Sequence, residues 1–367
     1  MPDTPITSIA VVKWAPHDET AETISHEFQQ LGIQTTLFRF NTAIPSNVDM
    51  VLTFGPNGAW LPIPRQLANL STTTRPILVH WNTENPVDPR FPRPLAKTIS
   101  AWRSRLENPD TPSALANQPP LRYLKQRMYR FRYTGDYLYA AAHGWLDALI
   151  DSSEIFTQQH RSYGLPAHFV PWGTPTRWYK DLSLPRDIDV LWMGKRRTKR
   201  RSQLIEQIRA ALTAQGFNLY VADGEEHPFI FGPERIRILN RAKITLNLLA
   251  GASYDDIFTY RFHVAAGNRS LVISEPEFPH CRRYQPNHHY IAAPRAALLE
   301  TILYYLHHEP ERQRITENAY QLVTQEMTFR HSLQTLLQIA TSARAAHPAL
   351  NTLHSLASTS TESASLT

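Results

Sequence analysis

The strongest constraint on the fold is a pattern that occurs twice. Near the amino terminus Ile9-Ala10-Val11-Val12-Lys13-Trp14 reads as a buried strand, and residues 19–31 place Ala21, Ile24, Phe28 and Leu31 on one helical face. Gly32 stops that helix, and Gln34-Thr35-Thr36-Leu37-Phe38-Arg39-Phe40 resumes as a strand. The second copy runs from Ile188-Asp189-Val190-Leu191-Trp192-Met193 through a helix over 199–215 with an apolar stripe of Leu204, Ile205, Ile208 and Leu212. Gly216 ends it, and Phe217-Asn218-Leu219-Tyr220-Val221-Ala222 follows as a strand. Strand, helix, glycine, strand, with nearly continuous apolar strands, is the repeating unit of a parallel sheet covered on both faces. Two copies predict an α/β chain with two Rossmann-like domains.

Length and composition agree. At roughly 150 residues per domain, 367 residues predict about two domains. Hydrophobic residues at 42% and aromatics at 10% supply two cores and exclude a mostly disordered chain. The 28 prolines follow no triplet repeat with the 13 glycines, which excludes a collagen-like chain. A net charge of +6 suits an anionic ligand without specifying one, so phosphorylated small molecules, nucleic acid and membrane surfaces stay open. The one cysteine, Cys281, excludes an intrachain disulfide framework and a Cys-rich zinc module, and fits a reducing compartment. The opening residues carry no basic segment followed by an apolar one, and no stretch approaches about 18 apolar residues. A soluble, cytoplasmic protein without a membrane span is expected.

Further strands are expected at 50–54, 77–81, 154–157, 168–171, 244–248 and 271–274, and helices at 137–150, 234–242 and 256–266. The domain division expected is 1–172, a turn-rich linker over 173–187, and a second domain over 188–328. A helix over 329–346 is then followed by a Ser- and Thr-rich tail over 347–367 that is expected to be disordered. Residues 85–94 read as a Pro-rich surface loop.

Lys195-Arg196-Arg197-Thr198-Lys199-Arg200-Arg201 holds six basic residues in seven. Such a run is often only a solvated face. Its position argues otherwise, because it lies between the end of a strand and the start of a helix, where free N–H groups favour an anion. With Gly194 permitting close approach of the backbone, the turn reads as a phosphate cradle, although it is not a GxGxxG fingerprint. Asn247 is the odd polar residue in an apolar strand and needs partners if buried. Glu275 lies just past a strand's carboxyl end, where α/β sheets bind ligands.

Residues 189–330 resemble the carboxyl-terminal half of GT-B glycosyltransferases, specifically the bacterial branch related to spore-maturation-type proteins. The matching stretches are Asp189-Val190-Leu191-Trp192-Met193-Gly194 with the Arg-rich helix start, Leu239 to Asn247, Tyr260-Arg261-Phe262, and Ala265 to Glu275. The block running from 154–157 to 171–174 looks similar too, while the resemblance over the first 150 residues is faint. It implies two domains facing across a cleft, with the last helix crossing back to the first domain. It also implies sugar transfer from a nucleotide-diphosphate donor held mainly by the second domain, with no cofactor. The donor contacts assigned on these grounds are Gly194, Lys195, Arg196, Arg197, Asp223, Phe231, Asn247, Tyr260, Arg261, Ser274 and Glu275. The 229–233 region would lie near the base, and Arg196 and Arg261 would meet the diphosphate. The family often carries a Glu in the helix after the Arg, gripping the donor ribose. Here the stretch is Arg261-Phe262-His263-Val264-Ala265.

The first domain would present the acceptor and any general base. His17, after the first strand, and Glu84, after the strand at 77–81, are the candidate catalytic residues, and each can equally be a solvated loop residue. The pairs His280-Cys281 and His288-His289 meet no standard zinc spacing, so no metal is assigned. Two alternatives stay open. One is a non-catalytic GT-B module binding a nucleotide sugar or glycan. The other, disfavoured for want of any recognisable motif, is a nucleic-acid-binding protein using residues 195–201. The acceptor, whether glycan, protein or small molecule, is unassigned.

Overall fold

The computed structural model describes residues 5–55, 60–70, 75–106, 128–196, 198–249, 260–275, 277–278 and 281–346. The chain forms two compact units, Met1–Val170 with Leu333–Thr367, and Pro171–Ser332. The 347–367 tail, Arg197 and the first part of the 256–266 helix lie outside the described residues.

In the first unit the elements are β1 (Ser8–Lys13), α1 (Glu19–Gln30), β2 (Gln34–Arg39), β3 (Met50–Phe54), α2 (Pro62–Ala68), β4 (Ile77–Asn82), α3 (Arg93–Arg105), α4 (Tyr129–Ala142), β5 (Ala148–Asp151), α5 (Glu154–Ser162) and β6 (Ala167–Phe169). The strands form one parallel sheet in the order β2-β1-β3-β4-β5-β6. β3 and β4 are buried along their whole length, as their apolar runs require. Helix α1 starts at Asp18, whose carboxylate accepts from Ala21 N at 3.1 Å and Trp14 N at 2.9 Å. Its stripe of Ala21, Ile24 and Phe28 is wholly buried.

Two sequence expectations are corrected in this unit. Residues 137–150 are not one helix but the end of α4 and strand β5, whose four residues are all buried. A short apolar run in a central strand has no periodicity to distinguish it from a buried helix. Residues 154–157, expected as a strand, open α5 instead. Ser153 decides this: its hydroxyl accepts from Phe156 N at 3.3 Å, while Asp151 Oδ1 accepts from Ser153 N at 2.8 Å.

The second unit contains β7 (Ile188–Met193), α6 (Lys199–Thr213), β8 (Leu219–Ala222), α7 (Gly232–Arg241), β9 (Ala242–Asn247), α8 (Tyr260–Gly267), β10 (Leu271–Ser274), β11 (Ile291–Ala292), α9 (Leu298–His307) and α10 (Glu309–Gln321), then a π-helical turn over Leu322–Glu326. Its parallel sheet has the order β11-β10-β9-β7-β8. Leu204, Ile205, Ile208 and Leu212 of α6 pack in one cluster with Val190, Trp192, Ile244 and Leu246 of the sheet. The wiring repeats that of the first unit: the first strand lies between the second and the third. The direction of winding therefore reverses between β1 and β3, and between β7 and β9. Open α/β sheets bind ligands outside the carboxyl ends of the strands at such a reversal.

The segment 173–187 is packed rather than free. Thr174 N donates to Met327 O at 2.8 Å, Phe329 N donates to Thr174 O at 3.1 Å, and Trp178 is buried in a short 3-10 turn. A Cβ on Gly173 would lie 2.2 Å from Thr328 O, a separation no side chain tolerates, so glycine is required where the two segments pass. The last helix, α11 (Phe329–Ala345), begins in the second unit and continues in the first from Leu333. Leu333, Leu336 and Ala340 are fully buried, and Arg344 Nη1 donates to Asp49 Oδ1 at 2.8 Å.

Candidate functional site

The winding reversal of the second sheet is where the polar side chains gather. Arg261, second residue of α8, donates from Nε to Met193 O at the end of β7, at 3.3 Å, and from Nη1 to Asn247 Oδ1 at the end of β9. Its guanidinium lies 4.7 Å from the centre of the Trp192 ring. Arg201, in the first turn of α6, lies 5.0 Å from the same ring and donates to Lys195 O at 3.0 Å and Leu248 O at 2.7 Å. One indole thus carries two guanidinium groups, a cation–π arrangement that orients both across the reversal. Gly194 has φ +120°, and a Cβ there would come within 3.3 Å of Arg261 Nη2. Glycine serves here because the backbone is left-handed and because Arg261 lies against it.

Asn247 has the partners its burial demands. Besides accepting from Arg261, it donates from Nδ2 to Ser274 Oγ at 3.0 Å, and its carbonyl accepts from Glu275 N at 2.9 Å. Glu275 forms an ion pair with both terminal nitrogens of Arg200 and accepts from Leu249 N at 3.1 Å. Asn247, Arg261, Ser274 and Glu275 are therefore joined into one hydrogen-bonded group at the carboxyl ends of β9 and β10, tied to β7 through Met193 O, with Gly194 lying against Arg261. Thr198 caps α6 by accepting from Arg201 N at 3.3 Å, so the basic run does sit on a helix start.

The remaining expected donor contacts are placed differently. Arg196 donates to Asp223 Oδ2 and Glu206 Oε1, both at 2.5 Å, and to Glu226 Oε2 at 3.1 Å. Its charge is opposed by three carboxylates. Burial works against ionisation of Asp223, but Arg196 and the N–H groups of Glu226 and Glu225 outweigh it and hold this carboxyl below the usual range. Tyr260 belongs to another cluster: its hydroxyl accepts from Arg235 Nη1 at 2.5 Å, and its ring centre lies 4.5 Å from that of Trp178. Phe231 caps no backbone group and is 63% exposed, with the Phe229 ring centre 6.5 Å away. Lys195 and Lys199 are exposed.

The basic run thus works in two ways. Arg196, Arg200 and Arg201 hold the loop's own structure, whereas Lys195 and Lys199 are exposed beside the start of α6. Sequence reasoning missed Trp192, Arg200 and Arg201 as site builders. A Trp at the end of an apolar strand beside a basic helix start was the available signal. His263, within the Arg261–Ala265 stretch that carries no carboxylate, is fully buried and hydrogen bonded at both nitrogens, to Thr174 Oγ1 and Tyr284 OH, each at 2.7 Å.

In the first unit His17 is exposed on the loop after β1. Glu84 is exposed two residues past β4, and its backbone is clamped by Asn82, which accepts from Glu84 N at 3.2 Å and donates to Glu84 O at 2.9 Å. Asn82 is itself fixed by Asp151 at 2.7 Å and by Tyr137 OH at 3.3 Å. That hydroxyl also meets His80 Nε2 at 2.9 Å, and His80 Nδ1 meets Thr53 Oγ1 at 2.8 Å. The structure does not bond His17 to this network.

Burial, and then the neighbouring His160, bring His80 from 6.5 down to about 3. The unfolded chain takes up a proton here below pH 6.5 that the folded chain refuses until about pH 3, so this group removes stability as pH falls through that window. The slope is at most about 1.4 kcal/mol per pH unit. His80→Gln is expected to flatten the melting temperature against pH between those limits. An unchanged slope would show that His80 does not titrate this way.

Among the described residues no group of three or more His, Cys, Asp or Glu side chains is arranged to hold a metal, and no helix is long and apolar enough to cross a membrane.

With this geometry the fold and the comparisons agree. Residues 196–338 match the family model described as "Glycosyl transferase-like". No curated protein sequence matches the chain. Among solved structures the chain is similar to a glycosyltransferase from Rickettsia africae ESF-5, at 12% identity and TM-score 0.56 over 92% of this chain and 98% of that one. It is similar to sucrose-phosphate synthase from Thermosynechococcus elongatus, at 11% identity and TM-score 0.57 over 93% and 100%. The Anabaena protein Alr3699/HepE, in complex with UDP and glucose, matches at 9% identity and TM-score 0.56 over 92% and 100%. The fold is GT-B-like, with two parallel α/β units, and the stretch similar to the glycosyl transferase-like family model is residues 196–338.

Proposed function

We propose that this protein transfers a sugar from a nucleoside-diphosphate donor to an acceptor hydroxyl. The observation that carries the reading is the Gly194–Arg261–Asn247–Ser274 group at the β7/β9 reversal, beside the start of α6. A helix start, two exposed lysines and a fork-shaped guanidinium suit a diphosphate better than a sugar or a base. The similar Anabaena structure holds UDP and glucose, which supports a uridine donor as the first to test.

In the proposed reaction the acceptor oxygen bonds to the anomeric carbon as the bond from that carbon to the diphosphate oxygen breaks. The leaving diphosphate takes the electron pair. Arg261 and the α6 N–H groups stabilise that charge where it develops, the role of preorganised dipoles in group transfer. The acceptor proton passes to a base, which we assign to Glu84 or His17. Glu84 is the better held, since the Asn82 clamp fixes its backbone at both polar groups. No cofactor or protein-held metal enters the proposal, and the setting proposed is cytoplasmic.

The direct test is turnover of UDP-sugars, followed as release of free UDP. Glu84→Gln and His17→Ala, made separately, are expected to drop turnover at least about tenfold in one case, since a general base contributes roughly 10²–10⁴-fold. Donor binding should persist in both. Unchanged turnover in both variants would remove the base assignment. Tight donor binding with no transfer or hydrolysis in the unmutated protein would favour the non-catalytic module.

A further inference from the structure

We propose that the second unit carries a separate binding site for a small phosphorylated anion, at the amino ends of its strands. A cavity of about 580 Å³ opens there between the sheet and α10. Its cations come from four places: Arg186 just before β7, Lys243 in β9, Arg269 just before β10, and Arg312 on α10. The volume falls in the range of small-molecule sites, about 300–1,000 Å³. The donor group lies at the other end of the same strands. Along the six residues of β7, at about 3.3 Å each, the two ends are about 20 Å apart, so one small ligand cannot occupy both.

The charges around this cavity are unevenly compensated. Lys243 Nζ meets Asp189 Oδ1 at 2.6 Å, and Arg269 Nε meets Glu317 Oε2 at 3.0 Å with Asp181 at 3.3 Å. Those two cations have carboxylates in contact. Arg186 instead donates to three main-chain carbonyls, Ala242 O at 2.6 Å, Asn268 O at 3.0 Å and Leu239 O at 3.3 Å. Arg312, which is buried, donates to Tyr305 O at 2.7 Å and Leu306 O at 3.3 Å, and its Nη2 is 3.5 Å from the exposed Glu309 carboxylate. Carbonyls at helix ends satisfy hydrogen bonds without neutralising a full charge. Asp181 and Glu309 are exposed and screened by water, Glu317 is half-buried, and the buried Asp189 is engaged by Lys243, so the charge least compensated by direct contact is that of Arg186 and Arg312.

The guanidinium groups feel one another. Burial, then Arg269, and then Arg312 bring Arg186 down to about 10, in spite of Asp181. A folded protein that gathers repelling cations about a cavity gains stability when an oxyanion enters it. Forked N–H donors match phosphate oxygens, and Gln313 and Thr316 on the α10 wall suit hydroxyl groups of an ester.

Titration calorimetry with inorganic pyrophosphate at fixed ionic strength tests the assignment. The unmutated protein is expected to show two classes of site. Lys243→Gln combined with Gln313→Glu should weaken one class at least tenfold and spare the other. Arg261→Ala should do the reverse, which separates this site from the donor reading. Gln313→Glu alone changes only an exposed residue and should weaken the same class several-fold, so a misfolded double variant does not decide the matter. A single class of site that neither Lys243 nor Gln313 affects would overturn the proposal, as would loss of all binding in Arg261→Ala.

Discussion

Arg261→Ala is expected to weaken binding of UDP by about 10–150-fold while leaving uridine binding nearly unchanged. Hydrogen bonds to charged groups contribute about 1.5–3 kcal/mol each, and every 1.4 kcal/mol or so is a factor of ten. The side chain is held ready by Met193 O, Asn247 and the face of Trp192, so little ordering entropy opposes its contact with phosphate. Arg261→Lys keeps the charge but loses the fork and the stacking, and should recover only part of the loss. Arg196→Ala is expected to act differently, although the sequence placed both arginines on the diphosphate. Three carboxylates already oppose Arg196, so its removal should cost diphosphate binding less and loosen the Glu206–Asp223–Glu226 group more. Equal loss of UDP and uridine in Arg261→Ala would refute the phosphate assignment.

The contrast between these two arginines shows what a sequence carries and what it omits. The repeated strand–helix–glycine–strand pattern made the two parallel sheets legible, because burial on both faces leaves continuous apolar runs that few other architectures use. The helix start after Gly194 was legible for the same reason. What a basic run cannot tell is which of its charges are consumed locally. Arg196 finds Glu206 ten residues on and Asp223 at the end of the next strand, partners that exist only once α6 and β8 are formed. Glu275 similarly pairs with Arg200, 75 positions earlier in the chain. Asn247 was detectable as a polar residue in an apolar strand, since burial obliges it to find partners. Strand β5 and helix α5 differ from the sequence expectation because three buried apolar residues and an aspartate, and one capping serine, carry too little pattern to outweigh their surroundings. The amino ends of the second sheet gave no signal at all. Arg186, Lys243, Arg269 and Arg312 are scattered singly through the sequence, and only the fold collects them.

Deleting residues 329 onward is expected to unfold the first unit, although its sheet stays intact in sequence. Phe329, Leu333, Leu336 and Ala340 are each fully buried, and from Leu333 the helix belongs to the first unit. Losing one buried leucine to alanine costs about 2–5 kcal/mol, and a whole domain is stable by only about 5–15 kcal/mol. Two leucines and the apolar surface they cover are therefore comparable with the entire stability of the unit. The same deletion removes Arg344 from Asp49. Burial works against the Asp49 charge, yet hydrogen bonds from Thr7, Arg344 and Ser8 bring its carboxyl down to about 2. A carboxyl lowered in this way adds stability above its ordinary value of 3.8 that is lost as pH falls towards 2, so Arg344→Ala should shift acid unfolding to higher pH. Ending the chain at residue 346 instead keeps every one of these contacts and should leave melting and nucleotide binding unchanged. Leu333→Ala with Leu336→Ala gives the graded version, expected to lower stability by about 4–10 kcal/mol. Amide exchange then locates the loss: protection should fall first in β1 to β6, while β7 to β10 keep theirs. A chain ending at 328 that melts like the full-length protein would show that the last helix does not complete the first unit.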